Sequence, residues 1–278
     1  MEVILLYTNK ISTLPDKNSF SRLTALKELL LSDNKLSDIS SLSGLSSTPI
    51  FRLYLSENSI TDLTPLSGVT TITELQLYLN PHLKNLDPLS SLIQLKSLYI
   101  SNTQVNSVKS LKPLTNLQSL WLHQNRITSL EGLEEMTNLT LLTLDHNNIY
   151  EISPLKNLTN LQRLDLNYNH IFDLSPLKNA PASLSLEATN QTRQLPDLVI
   201  STNRITLPYS VKDRNGNTLP PSSQNWTHFQ ENLSIVSWDN CYGWGNRTYY
   251  FKTTDGNFFG EAHLFYQQFH RRDRHYRL

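Results

Sequence analysis

Three observations predict the fold class. Asparagines recur at a 22-residue step (Asn125, Asn147, Asn169), each sits in the pattern L-x-x-L-x-L-x-x-N-x-I, and the period stops after Leu186. Together they predict an α/β chain: a right-handed solenoid of leucine-rich repeats, with a parallel β-sheet on the concave face and 3₁₀ turns on the convex face, followed by an Ig-like β-sandwich. The expected boundaries are 1–188 for the repeats, 189–269 for the sandwich and 270–278 for a basic tail. One repeat cannot close a core alone, so neighbouring copies must stack.

The spacing justifies each part of a repeat. Leu120 and Leu122 alternate with Trp121, so Ser119 to His123 reads as a strand that turns its leucines inward and Trp121 outward. Ile127, Leu130 and Leu133 return the chain in a stretch too short for a full helix, where 3₁₀ pieces are expected. Asn125 stands where the chain leaves the strand. Its amide can bond peptide groups of the bend that would otherwise be buried and unpaired.

Aligned this way, the ladder runs Asn9, Asn34, Asn58, Asn80, Thr103, Asn125, Asn147 and Asn169, with a last strand Leu184-Ser185-Leu186 ending near Thr189. An extra residue in Asn80-Pro81-His82-Leu83, and Thr103 in place of asparagine, predict local distortion of the spiral. Pro65, Pro88, Pro113, Pro154 and Pro176 recur at one convex position, where a fixed φ lowers the entropy lost on folding. The chain starts inside a repeat, at Ile4, Leu6 and Asn9, with no polar cap over the end of the core, so a truncated end, a fraying first repeat or a partner covering that end is expected, the first two before the third.

Beyond Leu186, six short β-prone runs begin at Leu198, Arg204, Tyr209, Leu233, Arg247 and Ala262. Asn215-Gly216-Asn217 and Asp255-Gly256-Asn257 read as hairpin turns between such strands. This is the makeup of a small β-sandwich. No flexible linker separates Ala188 from Leu198, so direct packing on the last repeat is expected.

The formal net charge is zero, yet residues 1–188 carry 14 Lys and Arg against 17 Asp and Glu, and four arginines crowd the last nine positions. That basic tail is read as a disordered end. No apolar run approaches the roughly 18 residues of a membrane span, and the N-terminus lacks the leader and cleavage site of a signal peptide. The single Cys241 excludes an internal disulfide and has no obvious activating base nearby. Sequons occur at Asn138, Asn157, Asn190, Asn225, Asn232 and Asn246, and they matter only in a eukaryotic secreted protein. No cofactor, nucleic acid or metal is expected.

The 22-residue repeat with its Leu-Thr-Asn-Leu and Ser-Pro-Leu phrases, followed by Ala188-Thr189-Asn190-Gln191-Thr192 and by ITLPYSVKDRNGNTLPP from Ile205, resembles the internalin family of bacterial surface proteins. The resemblance covers roughly residues 1–269. It implies a secreted or cell-surface protein whose concave face grips a host-cell protein. The repeat phrases alone also suit an intracellular scaffold or phosphatase regulator, which is the alternative.

Positions four and two before each ladder residue face away from the leucine core. The first column reads Leu5, Leu30, Tyr54, Gln76, Tyr99, Trp121, Thr143, Asp165 and Ser185; the second reads Tyr7, Ser32, Ser56, Tyr78, Ser101, His123, Asp145, Asn167 and Glu187. Strands about 4.8 Å apart make each column a stripe, apolar and aromatic early and acidic late. Exposed aligned aromatics are typical interface anchors. The expected partner-binding residues are therefore Tyr54, Gln76, Tyr78, Tyr99, Trp121 and His123, with Asp145 and Asp165 setting charge complementarity. Asp145, Asp165 and Glu187 also invite comparison with an oxygen-rich Ca²⁺ site, although a solvated acidic surface is the plainer expectation. Ser101, His123 and Asp145 fall in the order of a hydrolytic triad, but an open sheet offers neither an oxyanion hole nor a dry pocket. The chain is expected not to be an enzyme.

Overall fold

The computed structural model describes residues 2–195, 198–200, 205–208, 210–221, 228–230, 235–238, 244–253 and 257–268. Two compact units result, Met1–Leu166 with Asn179–Leu186, and Asn167–Lys178 with Glu187–Leu278. The second unit takes the outgoing segment of the eighth repeat as its own.

In the first unit the repeats give β1 (Val3–Leu5), β2 (Glu28–Leu30), β3 (Arg52–Tyr54), β4 (Glu74–Gln76), β5 (Ser97–Tyr99), β6 (Ser119–Trp121), β7 (Leu141–Thr143) and β8 (Arg163–Asp165). They form a parallel sheet in which each strand pairs with the next. The central residue of each strand from β2 onward, Leu29 through Leu164, is buried. So is the aliphatic residue two positions later, from Leu31 to Leu166. At β1 the flanking Val3, Leu5, Leu6 and Tyr7 are exposed.

The ladder asparagines do what their position demands. The residue before each one is non-glycine yet left-handed, with φ from 54° to 57° at Thr8, Asp33, Glu57, Leu79, Asn102, Gln124, His146, Tyr168 and Asn190. Such a bend costs about 1–2 kcal/mol per residue. It is held by the side chain that follows: Asn147 Nδ2 donates to Leu144 O at 2.9 Å and Leu122 O at 3.0 Å, while its Oδ1 accepts from Ile127 N–H at 2.9 Å. Asn58 and Asn80 are bonded in the same way.

Thr103 does not break the ladder, contrary to expectation. Its hydroxyl donates to Asn125 Oδ1 and accepts from Val105 N–H at 3.4 Å, relaying the bond that an asparagine would make directly. Nor does the extra residue after Asn80 reach the sheet. A turn closed by Leu83 N–H to Asn80 O absorbs it, and β4 and β5 keep an unbroken register. The ladder also runs one rung further than the sequence reading placed it. Gln191, 22 residues beyond Asn169, accepts from Ile171 N–H through its side-chain oxygen at 2.9 Å.

On the convex side the short 3₁₀ turns are Ser40–Ser47, Thr64–Leu66, Asp87–Ser91, Lys109–Leu111, Ser153–Asn157 and Ser175–Asn179. One five-residue α-helix, α1 (Lys17–Ser21), replaces the turn in the first repeat, and Asp16 caps it. Pro65, Pro88 and Pro154 open their turns, whereas Pro113 follows one. The repeat after β6 has no 3₁₀ turn and bends at Gly132, where φ is 106° and a Cβ would lie 2.8 Å from the Lys109 backbone. A second ladder, not foreseen from sequence, lies here: Asn116, Asn138 and Asn160 each donate to a carbonyl of the preceding repeat at 2.8–2.9 Å.

The second unit contains β9 (Ser185–Gln194), β10 (Leu198–Ile200), β11 (Ile205–Pro208), β12 (His228–Gln230), β13 (Ile235–Trp238), β14 (Trp244–Lys252) and β15 (Phe258–Gln268). β15 pairs antiparallel with β14 and parallel with β9 and β10. β11, β13 and β12 make a separate antiparallel sheet. Among the described residues of the run from Tyr209, Lys212 forms isolated bridges with Asp173 and Thr218, and β12 was missed. Asn215-Gly216-Asn217 is the expected turn: Gly216 has φ 85°, and Asp213 accepts from Asn215 N–H and Asn217 N–H at 2.8 Å. Phe172 meets Phe251 edge-on at 4.8 Å, and Phe251 lies 5.1 Å from Phe258. Met1, Arg204, Tyr209, the start of the run at Leu233, Cys241, Asp255-Gly256 and the tail from Phe269 lie outside the described residues.

Replacing Asn147 by Leu removes three buried hydrogen bonds and leaves Ile127 N–H and two carbonyls without this partner. Each buried group left unsatisfied costs about 1–3 kcal/mol, so a fall of at least 3 kcal/mol is expected in denaturant titration. A shift below about 0.5 kcal/mol, the scale of a neutral surface change, contradicts the ladder's role.

Candidate protein-binding face

Each strand carries three residues, and the buried central leucine forces its two neighbours onto the opposite, concave side. Strand register then aligns Tyr54, Gln76, Tyr99, Trp121, Thr143 and Asp165 in a single row. The row is half-buried apart from Thr143, which is buried. Tyr99 and Trp121 stack with ring centroids 4.1 Å apart and planes 11° from parallel. Tyr78, Tyr99, Trp121 and His123 line a shallow cleft of about 270 Å³.

A further column escaped the sequence reading. Glu28, Arg52, Glu74, Ser97, Ser119, Leu141 and Arg163, six before each ladder residue, share the same face by the same alternation. Extending the period of two by one more position would have found them. Arg52 bridges Glu28 at 2.8 Å and Glu74 at 3.1 Å, and the Tyr54 hydroxyl donates to Glu74's other oxygen. Burial, then the Glu74 carboxylate, pushes the Tyr54 hydroxyl well above the ordinary tyrosine range. Burial first and the Glu74 charge second raise Tyr99 as well. The early end of the row is thus a connected network of two carboxylates and one guanidinium with aromatic rings beside it.

The polar end differs from the expectation in two ways. Ser185 N–H bonds Gln162 O, as Arg163 N–H bonds Thr140 O, so Ser185 belongs with Arg163. With the ladder residue at 191, Glu187 moves to the first column and Thr189 takes the second. The error came from treating the last strand as ending near Thr189. Among the described residues no group of three or more His, Cys, Asp and Glu is placed to hold a metal ion, so the calcium comparison has no ligand set there.

The triad arrangement also comes apart. Ser101 Oγ lies 2.8 Å from His123 Nδ1, but Ser101 is only 2% exposed. The same ring nitrogen is 3.4 Å from Thr143 Oγ1. Asp145 binds His146 Nδ1 at 2.9 Å instead. A base oriented by a carboxylate on its far nitrogen is what a triad needs; here the Ser101 and Thr143 hydroxyls meet one nitrogen of His123, whose ring lines the cleft with Tyr99 and Trp121.

The model of the Leucine Rich repeats (2 copies) family matches residues 93–135. Among solved structures, an internalin (inlF) from Listeria monocytogenes shares 32% identity at a TM-score of 0.59, over 69% of this chain and 62% of its own. An internalin C2 (inlC2) from the same organism shares 32% identity at a TM-score of 0.57, over 66% of this chain and 76% of its own. This chain belongs to the internalin family. The functional domain of InlJ from Listeria monocytogenes, at 22% identity, shares the fold across 96% of this chain and 67% of its own, with a TM-score of 0.64. No curated protein matches.

This internalin-family chain spans 62% of the inlF structure's length. It is a leucine-rich repeat chain of that family. Among its described residues no helix is long and apolar enough to cross a membrane.

Tyr54 and Tyr99 ionise at higher pH folded than unfolded, where tyrosine titrates near about 10. The folded state therefore holds more protons between the two values. The corresponding stability is fully present below the unfolded value and is lost as pH rises through the folded ones. Tyrosinate absorbance in the wild type minus that in Tyr54→Phe should show one hydroxyl ionising above the main population. Ionisation of that hydroxyl together with the main population contradicts the Glu74 contact.

Proposed function

We propose that the concave face grips a partner protein, a host-cell surface protein, in an adhesin or virulence-type role. The contacts assigned to it are Tyr54, Gln76, Tyr78, Tyr99, Trp121 and His123, with Asp145 and Asp165 supplying charge complementarity. The observation that carries this reading is the row of register-matched, half-exposed rings with Tyr99 stacked on Trp121. Stacking fixes both rings before a partner arrives, so little rotamer entropy remains to be lost on binding. Large aromatics in a partly desolvated centre are the usual anchors of an interface.

The chain is read as secreted or held on a bacterial cell surface, in keeping with its family. Residues 1–188 form the recognition domain in this reading. Residues 189–269 form an Ig-like sandwich, supported by the presence of two separate sheets in that region.

The double variant Trp121→Ala, Tyr99→Ala should capture the partner from a host-cell surface fraction at least about 30-fold more weakly than wild type, the scale of losing hot-spot residues. Circular dichroism should show the repeat domain still folded. Equal capture by the two proteins would remove the proposed site.

A further inference from the structure

A second cleft lies within the C-terminal unit, well apart in sequence from the aromatic row. It holds about 420 Å³ and is walled mostly by apolar surface. Along β15 the buried Phe258, Gly260 and Ala262 alternate with Phe259, Glu261 and His263, which turn to the other side of the sheet. Register places Glu261 between Thr192 on β9 and Tyr250 on β14. Tyr168 and Tyr250, 50% and 43% exposed, stand in the cleft wall with Phe259.

Its charge is one-sided. Among the described residues that line it, Glu261 is the only carboxylate and there is no Lys or Arg. Glu261 gives Oε1 to His263 at 3.1 Å, and an ionised carboxylate has acceptor capacity beyond one such bond. The polar neighbours are already committed. Asn169 Nδ2 donates to Asn167 O, Asn190 Nδ2 to Thr189 Oγ1, and Gln191 bonds Ile171 N–H and Thr189 O. His170 Nδ1 faces Thr192 O.

A polyol would need several donors and acceptors from this wall, and these amides are engaged in holding the backbone. What the cleft offers instead is aromatic surface and one negative charge. Ring faces attract cations electrostatically, most strongly where water is partly excluded, and a carboxylate adds a directional partner. We infer that this cleft binds a small organic ammonium ion, its cationic head against Tyr168, Tyr250 and Phe259 and its charge balanced by Glu261. The site is independent of partner recognition on the concave face.

The test is calorimetric titration of the full chain with choline at low ionic strength, with glucose and N-acetylglucosamine as comparators. Choline should saturate one site. Binding should fall about ten-fold or more in Glu261→Gln and in Tyr250→Leu, in line with loss of a charge partner or of a cation–π contact. It should be unchanged in Trp121→Ala, which separates this site from the proposed interface. Thr192→Lys, which sets an ammonium group beside Glu261 on the sheet, should also abolish binding while the melting profile stays that of wild type. Absence of saturable choline binding, equal binding by Glu261→Gln, or saturation by a sugar instead would overturn the assignment.

Discussion

Every repeat depends on a bend that an L-amino acid resists. One residue before each ladder position, Thr8 through Asn190, the backbone enters the left-handed region without the help of glycine. The following Asn or Gln compensates by supplying both a donor and an acceptor to peptide groups that the bend has turned into the interior, and Thr103 accepts from one such group while relaying its own proton to Asn125. An asparagine bonds its own bend and, in the repeat before it, both the strand end and the loop that follows. The bend and the stacking of repeats are therefore one interaction seen from two sides, which is why the residue recurs with the period of the fold.

That interaction fixes where the concave face lies. With the bend held, strand register is set, the central leucine faces inward, and its neighbours must face out in rows. The rows bring together residues about 22 positions apart in sequence, so Tyr99 meets Trp121 and Arg52 meets both Glu28 and Glu74. At the early end Arg52 ties two carboxylates, Glu28 and Glu74, into one network. Asp145 is tied to its neighbour His146. The surface therefore presents stacked rings flanked by networked charges, a composition suited to another protein's surface.

Much of this was legible in the residues. The period, the inward leucines, the asparagine bend and the outward Tyr99 and Trp121 all follow from local spacing, because each repeat reproduces the same short-range physics. What escaped the sequence depends on contacts between repeats or on a different residue doing the same job. Thr103 keeps the ladder by relaying a hydroxyl, and Gln191 continues it with a longer amide; an asparagine pattern finds neither. The Glu28, Arg52 and Glu74 column was missed because the outward positions were read only four and two before each ladder residue, one step short of it. In the C-terminal unit, pairing of β9 and β10 with β15 joins segments about 70 residues apart, and no local signal specifies such partners.

The central claim is that the face defined by this bend is the one a partner touches. Site-specific photo-crosslinking tests it most directly, with a benzoylphenylalanine placed at Gln76, between Tyr54 and Tyr99 in the row, and in a second protein at Lys112 on the convex side. Exposed to a host-cell surface fraction and irradiated, the Gln76 probe should yield a discrete adduct and the Lys112 probe none. An adduct at Lys112 with none at Gln76 would contradict recognition through the concave sheet.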